Sequence, residues 1–249
     1  MNAREMRQKK GFTLIEVLFA SSCSIIVAGG VLALFITLSR LFSDGSTQMR
    51  LTSEARYGME RLAADVRGAE LLLVQPTGDQ INLTIPLTNL RADITSSATT
   101  IPVDSTDLLA SSGVIYIGSE GILYGSVTGR GLPNPEISSC TRAYNGTTAA
   151  SHKDNEVVYV KPIYYLNGGR VYLNTNGTPN PATDGVILRN VEKISGTNLF
   201  QQIPVGTSSY KTDRVQLVFR CFQDRDGDHL RDHNEPGLDF SMELFPRNK

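Results

Sequence analysis

The sequence predicts an α+β chain: one long N-terminal helix followed by a β-rich remainder. Three observations carry this reading. Residues 12–38 are almost free of ionisable groups; residues 49–73 place apolar side chains at helical spacing; and beyond Gln75-Pro76 the chain breaks into short alternating runs separated by turn residues. The absence of Trp and the 22 Gly fit a loop-rich β protein better than a helical bundle. A formal net charge of -1 gives no electrostatic case for nucleic acid as a general partner.

The apolar run from Phe12 to Leu38 contains only Glu16 and Cys23 as ionisable side chains. About 20 apolar residues span a bilayer as a helix, so this run is long enough. Arg4, Arg7, Lys9 and Lys10 precede it against the single acid Glu5. By the positive-inside bias that flank stays cytoplasmic and residues beyond Arg40 lie outside. A secretory signal would have a shorter apolar core ending at small residues, and no such site follows this core. A carboxylate in hydrocarbon costs about 2.5–3.5 kcal/mol, so Glu16 calls for a partner or a function.

The string Lys9-Lys10-Gly11-Phe12-Thr13-Leu14-Ile15-Glu16-Val17-Leu18 resembles the leader and methylation motif of type IV prepilins and type II secretion pseudopilins. The resemblance implies cleavage between Gly11 and Phe12 by prepilin peptidase, N-methylation of Phe12, and an assembly role for Glu16. Glu16 would pair with the new α-ammonium of a neighbouring subunit, so that two groups costly to bury alone become tolerable together. It also implies other pilins and an inner-membrane assembly platform as partners. The expected location is the inner membrane, single-pass with the N-terminus cytoplasmic, and then a periplasmic or extracellular filament.

Met49, Leu51, Ala55, Met59, Leu62, Val66, Ala69 and Leu73 continue the helix as an amphipathic segment, expected to end near Leu72. Gly29-Gly30 weakens it by roughly 1 kcal/mol per Gly relative to Ala. The pair is read as helical in the isolated subunit and unwound in the polymer. The expected organisation is a leader at 1–11, a transmembrane or filament-core helix at 12–40, an amphipathic helix at 41–75, and a β-sheet domain from 76–91 and 161–249. A small β module, 92–160, is inserted into that domain.

Strands are expected at Gln80–Ile85, Val157–Leu166, Arg170–Leu173, Val186–Ile194 and Arg214–Phe222, with an edge strand at Phe240–Asn248. Asn167-Gly168-Gly169 reads as a hairpin turn. This layout is similar to W-type minor pilins and J-type pseudopilins, which implies a long helix packed on an antiparallel sheet. Residues 92–160, with a strong turn signal at Asn145-Gly146, resemble a small β module of phage virion and surface proteins. His152, in its last turn, reads as structural.

Residues 224–235 place Asp224, Asp226, Asp228, Asp232 and Glu235 at positions one, three, five, nine and twelve of a loop. Leu230 at position seven would add a main-chain carbonyl. Such oxygen-rich spacing suits Ca²⁺, and it suits a transition metal less well despite His229 and His233. His229 stands where the EF-hand pattern has Gly, and Gly227 at position four is the alternative turn residue. Cys140 and Cys221 are a candidate disulfide, with two buried thiols as the other reading.

No Ser/His/Asp grouping, phosphate-binding Gly loop or Cys/His cluster stands out, so the chain reads as a structural subunit rather than an enzyme. The leading expectation is a minor pilin-like subunit that initiates or caps a type IV pilus or related filament. The alternatives are a type II secretion pseudopilin and a tip adhesin that binds a surface or DNA through the inserted module. DNA at a pilus tip is the one nucleic-acid partner kept in view.

Overall fold

A computed structural model of the chain describes residues 13–203, 214–224, 227, 231–232 and 235–246. The fold is α+β, as the sequence predicts. One helix, α1 (Leu14–Gly68), precedes sixteen strands among the described residues. The chain divides into two compact units, Met1–Met49 and Arg50–Lys249.

In the first unit, α1 continues through Gly29-Gly30, where an added Cβ would meet nothing within 4 Å. The side chains of Ser22, Ser24 and Thr37 donate to main-chain carbonyls one turn back, at 2.8–2.9 Å. The apolar stretch therefore satisfies its own hydroxyls, as a helix in hydrocarbon must.

In the second unit, α1 buries Leu51, Ala55, Gly58, Leu62, Ala63 and Val66 along one stripe, close to the expected face. Leu73, and Met49 at the end of the first unit, depart from that reading, since both are exposed. Gly58 joins the stripe because a Cβ there would overlap the Leu188 side chain.

The helix ends at Gly68, short of the expected Leu72. The amide of Glu70 donates to Thr84 O at 2.8 Å, and β1 (Leu71–Val74) then pairs antiparallel with β2 (Gln80–Asn89), Leu72 opposite Leu83. Burial alternates accordingly, with Leu72 buried between exposed Leu71 and Leu73. The amphipathic segment read over 41–75 is thus helix only to Gly68, because a neighbouring strand claims the backbone beyond it.

The longest sheet is organised on β2. Its first half pairs with β10 (Ile163–Asn167) and its second half with β9 (Val157–Val160), along one edge, with Ile163 opposite Asn82 and Val160 opposite Ile85. The expected single strand Val157–Leu166 is split at Lys161-Pro162, because Pro162 has no N–H to give the ladder. Its carbonyl still accepts from Leu83 N at 3.0 Å. β10 and β11 (Arg170–Asn174) form the expected hairpin. Gly168 and Gly169, at φ 52° and 69°, make the two-residue turn that only left-handed conformations close.

The expected strand Val186–Ile194 also splits. β12 (Gly185–Arg189) pairs with β11, whereas β13 (Val191–Glu192) pairs with β15 (Arg214–Phe222) in a second sheet. Asn190, at φ 52°, turns the chain from one sheet to the other. β14 (Phe200–Ile203) shares that edge of β15, and β16 (Gly237–Leu244) takes the opposite edge. The terminal edge strand therefore starts three residues earlier than expected, and Asn248 lies outside the described residues. Leu238, Phe240 and Met242, at strand spacing, pack on the core.

That core gathers the α1 stripe, Ile81, Leu83, Tyr164, Phe200, Phe219 and Cys221. A second cluster, including Leu90, Ile101, Ile115, Ile122, Ile137, Cys140 and Val158, lies within β3 (Ile101–Pro102), β4 (Gly113–Ile117), β5 (Glu120–Tyr124), β7 (Glu136–Ser138), β9 and adjoining segments. β4, β5 and β8 (Thr141–Tyr144) extend the long sheet beyond β9, while β3, β7 and β6 (Ser126–Thr128) form a third sheet. Asn145 and Gly146 take φ of 53° and 73°, as a turn at that dipeptide requires.

Candidate functional site

The head of α1 is the candidate site. Gly11 and Phe12, the residues read as the cleavage and methylation positions, lie outside the described residues. Thr13 and Glu16 are described, and each caps the other. The Glu16 carboxylate accepts from Thr13 N at 2.9 Å and from Thr13 Oγ1 at 3.0 Å. The Glu16 amide reaches Thr13 Oγ1 at 3.4 Å. This is a capping box, in which a Thr-x-x-Glu pattern satisfies amides that the first turn of a helix leaves without partners. The sequence reading found Glu16 but missed Thr13, although the pattern that signals it is local.

Behind the cap, large apolar side chains from Leu14 to Phe42 are exposed on every face, among them Ile15, Phe19, Ile26, Leu34 and Phe35. A helix apolar all round is stable only inside lipid or against other chains. Its length and composition are enough to cross a membrane. Cys23 is an exposed thiol in this stretch.

The acidic loop is described at Asp224, Gly227, Arg231, Asp232 and Glu235; Asp226, Asp228, Leu230, His229 and His233 lie outside the described residues. The carboxylate of Asp224 accepts from Gly227 N at 2.7 Å, and Gly227 sits at φ 84°, a left-handed turn. Glu235 is buried and accepts from Asp232 N at 3.1 Å. Arg231 fastens the loop by donating to Glu235 O and pairing with Glu192, both at 3.1 Å. Among the described residues no group of three or more His, Cys, Asp or Glu is arranged around a common point.

Cys140 and Cys221 are free thiols, so the candidate disulfide is not formed. The reason is their placement: each is buried in a different hydrophobic cluster. Burial pushes the Cys140 thiol up to about 11 and the Cys221 thiol up to about 12, which keeps both protonated and unreactive.

Glu120 is the most heavily bonded carboxylate among the described residues, and nothing in the local sequence singles it out. Its side chain is 1% exposed. It accepts from Arg142 Nε at 2.8 Å and Arg142 Nη2 at 2.7 Å, and from the amides of Ala143 and Ala150 at 3.2 and 3.1 Å. His152 Nε2 lies 2.8 Å away, and the other ring nitrogen lies 2.9 Å from Glu156. Burial alone would raise this carboxyl, but the Arg142 fork, the two amides and His152 outweigh it and hold it at about 2. His152 is locked by backbone bonds to Ile94 in both directions, which agrees with its structural reading. No local signal marks Glu120, because the partners it bonds lie 22 to 32 residues further along the chain.

Residues 6–32 match the family model described as the prokaryotic N-terminal methylation motif. That match, which takes in the cap and the exposed apolar helix as far as Leu32, supports a pilin-like or pseudopilin subunit of the type IV prepilin class. The motif implies processing by prepilin peptidase, assembly with other pilins, and membrane anchoring before assembly. No curated protein and no solved structure matches the chain.

Proposed function

We propose that the chain is a minor pilin-like structural subunit, cut between Gly11 and Phe12, methylated at Phe12, and assembled into a type IV pilus or related filament at its initiating or tip end. The observation that carries this reading is the apolar helix, exposed on all sides and headed by Glu16 within the stretch that matches the methylation motif. Such a surface needs lipid before assembly and neighbouring helices after it. Glu16 gives that packing its register by meeting the α-ammonium of a neighbour.

A minor rather than major role follows from bulk. The segment 92–160, which supplies most of the second hydrophobic cluster, would otherwise repeat at every filament position. A pseudopilin of a type II secretion machine shares every one of these features. A tip adhesin would use the module to reach a surface or DNA. Tagging the protein and imaging sheared filaments discriminates among them. Label at filament ends supports the proposal, label along the whole length overturns the minor role, and absence from surface filaments with retention in the periplasm favours the pseudopilin.

The loop from Asp224 to Glu235 is proposed as a Ca²⁺ site held by Asp224, Asp226, Asp228, the Leu230 carbonyl, Asp232 and Glu235. The left-handed Gly227 supports this reading, since it gives the loop a tight turn at position four.

A further inference from the structure

A cleft of about 400 Å³ opens between the Arg61–Gly68 stretch of α1 and the loop that leads from Leu108 into β4. Its floor is β2, near the point where the two hydrophobic cores meet. The volume falls within the roughly 300–1,000 Å³ of small-molecule sites, which favour such junctions. Most of the wall is carbon, with Ala64, Leu108, Val114 and Leu173 facing the space. Leu108 is 74% exposed at the cleft, a large apolar side chain that the fold leaves uncovered.

Charge is confined to one wall, where Arg61 and Asp65 stand one turn apart on α1. Asp65 is already engaged, because the buried Tyr164 hydroxyl donates to its Oδ2 at 2.5 Å. Arg61 lies 3.8 Å from that same oxygen, an ion pair too long for a hydrogen bond. The Arg61 side chain is 55% exposed; it also donates to the Tyr164 hydroxyl, and the rest of its five-donor fork is not spent on Asp65. A cation entering the cleft would have to displace Tyr164 or Arg61 from Asp65. An anion needs to displace neither.

We propose that this cleft binds a small amphiphilic carboxylate, its apolar body against the carbon walls and its carboxylate on Arg61. The inference is independent of the filament reading.

The test uses the full chain in lipid nanodiscs, titrated with 4-phenylbutanoate by calorimetry against empty nanodiscs. One saturable site is expected. Ala64 is exposed, so Ala64→Trp should fill the cleft and abolish binding while leaving the melting temperature unchanged. Arg61→Gln should weaken binding about tenfold or more, as loss of one charge-assisted hydrogen bond does, and 4-phenylbutanol should bind the wild type comparably weakly. No saturable heat above empty nanodiscs overturns the proposal, as does undiminished binding by Ala64→Trp. Equal affinity for acid and alcohol overturns the role of Arg61.

Discussion

Thr13 and Glu16 hold each other at the start of α1, the carboxylate on the Thr13 amide and hydroxyl and the Glu16 amide on the same hydroxyl. The carboxylate proposed to meet a neighbour's α-ammonium is thus already positioned by its own chain, three residues from Thr13.

Substituting Glu16 separates the two roles. Glu16→Ala removes both cap and charge, whereas Glu16→Gln keeps an oxygen that can accept from Thr13 N but carries no charge. Both variants should enter the membrane normally and fail to appear in sheared filaments by immunoblot. Assembly of Glu16→Gln at the wild-type level would show that capping alone accounts for the residue.

Cleavage should fall between Gly11 and Phe12, leaving a methylated Phe12 at the mature N-terminus. Mass spectrometry of that terminus reads both events. A mature chain beginning at Met1, or near Ser22, would remove the prepilin reading.

Glu120 should make the fold acid-sensitive. Its folded carboxyl is held at about 2, below the ordinary 4.5, so between those values the unfolded chain takes up a proton that the folded chain refuses. Its contribution is therefore full above pH 4.5 and is lost as the pH falls toward 2. Glu120→Gln leaves Arg142 without its anion and should cost about 3–5 kcal/mol at neutral pH. The stability gap between wild type and variant, from urea titrations at several pH values, should narrow in acid. A gap that is flat with pH would contradict the ionised role.

Gly58 should not tolerate a larger side chain. Helix propensity alone would favour Ala by about 1 kcal/mol. A Cβ at this position overlaps Leu188, however, and overpacking costs about 1–3 kcal/mol. Gly58→Val adds still more volume and should lower the melting temperature by several degrees, whereas a gain in stability would mean that β12 yields easily.

Calcium at millimolar concentration should raise the melting temperature relative to EGTA. Exported calcium modules bind at about 10⁻⁴–10⁻³ M, which gives roughly 1 kcal/mol. Asp226→Ala and Asp228→Ala should each abolish the shift, and Mg²⁺ should substitute poorly. Absence of calorimetric binding at millimolar Ca²⁺ leaves the loop an acidic turn.

The sequence by itself determined the N-terminal motif, the long apolar helix, the Gly168-Gly169 hairpin and strand Arg214–Phe222. Each is encoded locally, by a short motif, a period of 3.6 or two, or residues suited to left-handed φ. Tertiary structure decided where α1 stops, because β2 offers Glu70 a carbonyl that no local pattern reveals. It also placed Cys140 and Cys221 in separate cores, and it drew Glu120, Arg142 and His152 together. These outcomes depend on which distant strands align, and a buried charge acquires its partners only once they have done so.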